Sequence, residues 1–216
     1  MRLAIAVLLT IQGAPYTLFA SDPLLEKLVR RLRDGNAEEQ RIAANQLGEL
    51  GAHAVAAVPA LVHALESPED GVQFASAVAL GKIGARAVPA LVVALRNSRW
   101  YVRRAATEAL GRMGDDAAAA VPKLVAILAG DPNELVRGCA AWSLGRIATT
   151  DPAVTALVEA LFADPDGNVR RWATDALRAM RVREVTGLRN IRDRAASYRP
   201  SPWPYETPTS SFGAKP

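Results

Sequence analysis

The chain has 216 residues, of which 50% are hydrophobic and 22% charged, and its 26 Lys+Arg against 22 Asp+Glu give a net charge of +4. The excess lies outside the body: residues 181–216 hold seven basic and three acidic side chains, whereas residues 21–180 hold 18 and 19. A near-neutral body is poor material for a nucleic-acid groove, which needs clustered positive charge, and a single cysteine, Cys139, excludes an internal disulfide framework.

Residues 1–20 place Arg2 before the apolar run Leu3 to Ile11 and end on Ala20. This is the layout of a secretory leader. It predicts a signal peptide over 1–20 and an exported chain, periplasmic or secreted. The alternative is an uncleaved leader that anchors the chain, although Gln12, Gly13 and Pro15 interrupt the stretch. No stable membrane span is expected once the leader is removed.

From residue 21 the chain repeats itself. Leu47, Leu80, Leu110, Leu144 and Leu177 are equivalent anchors at spacings of 33, 30, 34 and 33 residues. A period of that size marks one small unit stacked on itself, since no copy can bury its apolar face alone. The spacing, with the helix-period segments within each unit, therefore predicts an all-α solenoid of five helix pairs over residues 21–196, with terminal caps.

Each unit opens with a helix-period segment: Glu26 to Leu32, Val58 to Leu65, Val88 to Leu95, Val121 to Leu128 and Val154 to Leu161. Pro59, Pro89 and Pro122 suit a first helical turn, where no amide partner is lost, and so fix the helix start. A turn rich in capping residues follows: Asp34-Gly35-Asn36, Ser67-Pro68, Asn97-Ser98, Asp131-Pro132 and Asp164-Pro165. The second segment carries an alanine-rich stripe, exemplified by Val102, Ala105, Ala106, Ala109, Leu110 and Met113, at the spacing of one helix face. By the same register Ile42, Ala75, Cys139 and Trp172 are expected in the core. Gly48, Gly81, Gly111 and Gly145 follow the anchors directly. A mid-helix glycine costs about 1 kcal/mol relative to alanine, so their recurrence predicts contacts where no side chain fits. Gly51, Gly84 and Gly114 read as left-handed terminators.

The end units are more polar, with Glu39 and Gln46 in the first and Arg178 and Arg181 in the fifth, as caps require. Val182, Val185, Leu188 and Ile191 predict a last amphipathic helix covering the array. Residues 197–216, with Pro200, Pro202, Pro204, Pro208 and Pro216, read as an extended, flexible tail.

The combination of V-P-A-L-V-x-A-L, then D-P-x-x-x-V-R, then A-L-G-x-I-G resembles the HEAT repeat, in the short subtype associated with phycobilin lyases, over about residues 23–180. In that family the turn aspartate and the following arginine form a ladder between neighbouring repeats. The match is full for Asp131 with Arg137 and Asp164 with Arg170; Asn97 with Arg103 keeps half of it, and Ser67 with Gln73 is uncharged. As exposed pairs these would contribute about 0–1 kcal/mol each, setting register more than stability.

The resemblance also implies that second helices line the concave surface. Their outward ridge reads Arg41/Asn45/Glu49, Phe74/Val78/Lys82, Arg104/Glu108/Arg112, Gly138/Trp142/Arg146 and Arg171/Asp175/Ala179, each triplet sharing a face. Phe74, Val78 and Trp142, bordered by Lys82, Arg104, Arg112 and Arg146, have the composition of a protein-binding hot spot. The competing reading folds Phe74 and Trp142 over adjacent alanines. His53 and His63 stand ten residues apart without further ligands. Each is followed by alanine, so the His-Glu pairs of deoxyhypusine hydroxylase, a HEAT-like relative, have no counterpart. No catalytic residue, metal or cofactor is expected. The functional expectation is a non-enzymatic scaffold for a protein or peptide partner, one with acidic segments. The alternatives are a phycobilin-lyase-like chromophore chaperone subunit and a nucleic-acid-binding protein. The latter draws on Arg41, Arg104 and Arg171, with Glu49, Glu108 and Asp175 against it.

Overall fold

The computed structural model describes residues 22–147 and 151–180. The expected leader, the helix expected after Met180 and the proline-rich tail fall outside them. Among the described residues the chain is an all-α right-handed solenoid of five antiparallel pairs. They are α1 (Pro23–Asp34) with α2 (Ala37–Glu49), α3 (Val58–Ala64) with α4 (Asp70–Ile83), α5 (Val88–Ala94) with α6 (Trp100–Met113), α7 (Val121–Gly130) with α8 (Glu134–Ile147), and α9 (Asp151–Ala163) with α10 (Gly167–Ala179). Each second helix packs on its own first helix and on the second helix of the next pair.

Local chemistry sets the element ends. Pro59, Pro89 and Pro122 each occupy the first turn of a first helix. Asn36 accepts from the Glu39 amide while the Glu39 carboxylate accepts from the Asn36 amide, a reciprocal cap that starts α2. Pairs are joined by 3-10 turns, Gly51–Ala57, Gly84–Ala87 and Gly114–Ala120. The middle turn has four residues instead of seven, which accounts for the one short spacing between anchors. Gly51, Gly84 and Gly114 have φ of 53°, 79° and 60°. At Gly84 and Gly114 ψ is −153° and −136°, so these two sit outside the left-handed helical basin expected from the sequence. They occupy extended backbone open essentially to glycine alone.

The anchors Leu47, Leu80, Leu110 and Leu144 are fully buried, as are Leu61, Leu91, Leu124 and Leu157 on the first helices. Each such burial stabilises the fold by about 1.5–3 kcal/mol. Leu177, in the last pair, is only partly buried. Ile42 departs from expectation. It is 37% exposed rather than core; among the described residues no further pair packs on the outer side of the first. An 18-residue window within Asp70–Ala94 reaches a mean hydropathy of 1.6, but the stretch breaks at Gly84 and half of that window is buried within the solenoid. Its apolarity is that of a core.

The glycines after the anchors mark the closest approaches between second helices. A methyl group on Gly145 would lie 2.7 Å from Ala176 Cβ, and one on Gly48 would lie 3.0 Å from Ala79 Cα. At Gly145 the neighbouring helix would have to shift, and at Gly48 it would have to give by a few tenths of an ångström.

The arginine ladder is present, but buried rather than exposed. Arg103 donates two hydrogen bonds to the Asp131 carboxylate, at 2.7 and 2.8 Å, and Arg137 donates two to Asp164, at 2.8 and 3.0 Å. Each rung thus links an arginine to the aspartate of the following turn. Each arginine also donates to its own turn: Arg103 to the Asn97 and Ser98 carbonyls, Arg137 to the Asp131 carbonyl, and Arg170 to those of Asp164 and Pro165. Gln73 makes the corresponding bond to Ser67. The second turn supports the third differently, through Glu66 bonded to Asn97 and Arg99. Burial acts to raise the pKa of Asp164, but hydrogen bonds from Arg137 and the Asp166 amide outweigh it and hold the carboxyl below its ordinary value.

Candidate binding groove on the second helices

Small side chains let α2, α4, α6, α8 and α10 pack side by side, each on the next, so their outward ridges form one continuous face.

The ridge is built by interlocking. At Gly81 and Gly111 the glycine after the anchor is a slot that receives a ridge side chain from the next repeat. A methyl group on Gly81 would lie 2.9 Å from Arg112 Cβ, and one on Gly111 would lie 2.5 Å from both the Trp142 ring and Ser143 Oγ. Arg112 emerges from its slot with its guanidinium carbon 5.0 Å from the centre of the Phe74 ring. Its Nε and Nη2 donate to Glu108 Oε1 at 3.1 and 2.7 Å. Arg146 repeats the arrangement one pair further on. Its guanidinium carbon is 5.1 Å from the centre of the Trp142 ring, and its Nε donates to the Gly111 carbonyl at 3.0 Å. Two arginines are therefore held over two aromatic faces, a contact of about 0.5–1 kcal/mol at exposed sites.

The structure brings Phe74, Val78, Lys82, Arg104, Arg112, Trp142 and Arg146 onto one layer, with unequal access. Phe74 is 41% exposed; Val78, Arg104, Arg112 and Trp142 are half-buried, and Lys82 and Arg146 are exposed. Trp142 lies over Gly111 and the helix backbone there, so part of its ring fills a gap between repeats. Lys82 pairs with Glu49 of α2, and Arg41 pairs with Glu38. Glu108 corrects the expectation that it is a solvent-facing acid. It is 2% exposed, because Arg112 folds over it. Gly138 is likewise covered, by the Trp172 ring. The sequence contained a sign of these slots in the glycine after the first four anchors, but which residue would fill each one depended on helix rotation.

Elsewhere the chemistry is sparse. His53 and His63 are both exposed. Cys139 is fully buried and donates to the Arg104 carbonyl at 3.7 Å; burial pushes its thiol pKa up, with the Glu108 charge acting the same way. Among the described residues no cluster of His, Cys, Asp or Glu could hold a metal ion. Trp100 and Tyr101 stack edge to face at 6.1 Å at the start of α6.

The family model of HEAT repeats matches residues 25–98 and 88–178. No curated protein matches the chain significantly. Among solved structures, the complex of CpcE and CpcF of phycocyanin lyase from Nostoc sp. PCC7120 is similar at 25% identity and a TM-score of 0.57, over 71% of this chain and 97% of that one. An engineered protein is similar at 27% identity and a TM-score of 0.49, over 80% and 87%. A designed armadillo repeat protein is similar at 19% identity and a TM-score of 0.48, over 78% and 87%.

Proposed function

The chain belongs to the HEAT-repeat family, and from that premise we propose that it is a non-enzymatic scaffold whose second-helix ridge holds a protein or peptide partner. The observation that carries this reading is the pair of arginine-capped aromatics, Arg112 over Phe74 and Arg146 over Trp142. Together they give an apolar surface edged with guanidinium groups on one wall. Phe74, Val78 and Trp142 supply the apolar contact, while Lys82, Arg104, Arg112 and Arg146 favour carboxylate-bearing partner segments. Glu49 and Glu108 already balance two of these cations, so the surface selects local acidic groups rather than a polyanion. Export through residues 1–20 is part of the proposal, and sequencing the mature N-terminus tests it. A chain beginning at Ser21 supports export.

The test of the groove is capture of partners by the full chain and by the Phe74→Ala/Trp142→Ala variant, with circular dichroism confirming the helical content of both. Loss of partners specific to the parent supports the site. Equal capture removes the assignment.

The similarity to the phycocyanin lyase complex favours a second reading, a chromophore chaperone subunit acting on the same wall. It predicts an absorbance change when a bilin is mixed with the chain, and an unchanged spectrum rejects it.

A further inference from the structure

We propose that the groove is occupied in the resting protein by residues 199–208 of its own chain, so that an external partner binds by displacing this segment. The proposal rests on the ridge being a peptide-binding surface and adds what fills it. The occupant follows from a match of two repeats. Second helices packed side by side have axes about 8–10 Å apart. A polyproline helix has three residues per turn and a rise of about 3.1 Å per residue, so one edge repeats about every 9 Å. A polyproline segment laid along the groove therefore presents every third residue to successive second helices. A strand would turn alternate residues away instead.

The segment R-P-S-P-W-P-Y-E-T-P at 199–208 has the required composition. Its edge running through Pro200, Trp203 and Glu206 offers an apolar ring, an aromatic and a carboxylate in sequence. Glu206 is the one acid of the segment and follows its one cation, Arg199, by seven residues; it is set against a ridge that carries Lys82, Arg112 and Arg146, of which Lys82 and Arg112 also pair with Glu49 and Glu108. Reach also permits it. The described chain leaves α10 at Met180, and nineteen residues, 181–199, lie between Met180 and Pro200. Running from α10 back toward α4 covers three interhelical steps, about 24–30 Å, well inside the extended reach of about 3.3 Å per residue. In that direction Pro200 meets Trp142 on α8. Trp203 meets the face of the Arg112 guanidinium that Phe74 leaves open, and Glu206 meets Lys82 on α4.

The test places a nitroxide on the tail of the full chain. Cys139→Ala, at a position where the neighbouring repeats carry Ala75 and Ala105, leaves Ser210→Cys as the single thiol. Spin-label broadening of backbone amide resonances is then read over the array. The expected result is broadening along α4 and α6 that does not change with protein concentration and is lost on Trp203→Ala. Broadening absent, spread evenly over the surface, or confined to the first helices overturns the proposal, as does broadening that grows with concentration, which assigns the segment to a second copy. A separate arm adds a synthetic peptide of residues 198–208 to the Trp203→Ala chain. If the label shows no contact but the peptide shifts amides beside Phe74 and Trp142, self-occupancy fails and the groove stands. If neither effect appears, the groove reading fails with it.

Discussion

Replacing Asp131 by Asn tests whether the ladder stabilises the solenoid or only sets its register. The Asp131 side chain is 2% exposed, and its carboxylate accepts two bonds from Arg103 and one from the Asn133 amide. Removing one member of a buried ion pair costs about 3–5 kcal/mol in general. Arg103 softens that figure here, because it keeps the Asn97 and Ser98 carbonyls and is itself 11% exposed. An amide at 131 can still accept one bond. The expected loss is about 2–3 kcal/mol, the upper part of what single substitutions usually do. Urea unfolding of the parent, Asp131→Asn, Arg103→Gln and the double variant gives the coupling energy directly. The double variant should lose clearly less than the two singles added together. Because each repeat touches only its neighbours, the loss weakens the junction between the third and fourth pairs and should broaden the transition. A loss within about 0.5 kcal/mol, the range of ordinary surface substitutions, would refute the reasoning and return the rung to a register marker.

Three other outcomes are expected. Gly138→Ala places a methyl group 1.4 Å from the Trp172 ring, so the ring must move; overpacking costs about 1–3 kcal/mol and should exceed the roughly 1 kcal/mol gained in helix propensity. Thermal unfolding reads this, and Trp172→Leu in the same chain should recover most of it. Lowering the pH should weaken the junction between the fourth and fifth pairs. Asp164 titrates below its ordinary value, so its contribution is complete above the unfolded-state pKa of about 3.9 and declines as pH falls further through the folded one. Denaturation curves for parent and Asp164→Asn should therefore converge in acid; curves that stay parallel refute the assignment. Finally, Cys139 should react with a thiol reagent only as fast as the array opens, since the side chain is fully buried, and rapid labelling under native conditions would refute that packing.

The repeat, the helix count and the boundaries set by Pro59, Pro89 and Pro122 were legible in the order of residues alone, because they rest on local backbone chemistry and a period that survives in one dimension. So was the meaning of the glycines after the first four anchors, in outline: something approaches closely there. Three things were decided only by the assembled array. Ladder arginines find their aspartates one repeat ahead and under cover, so pairs that read as exposed became buried ion pairs. Glu108 left the solvent because Arg112, seated in the slot of Gly81, folds over it. Trp142 became half filler and half surface, because its ring fills the slot at Gly111 and also carries the Arg146 guanidinium. Each outcome depends on how far one helix is rotated against its neighbour. That angle is set by the summed shapes of both faces in contact, and no single repeat encodes it.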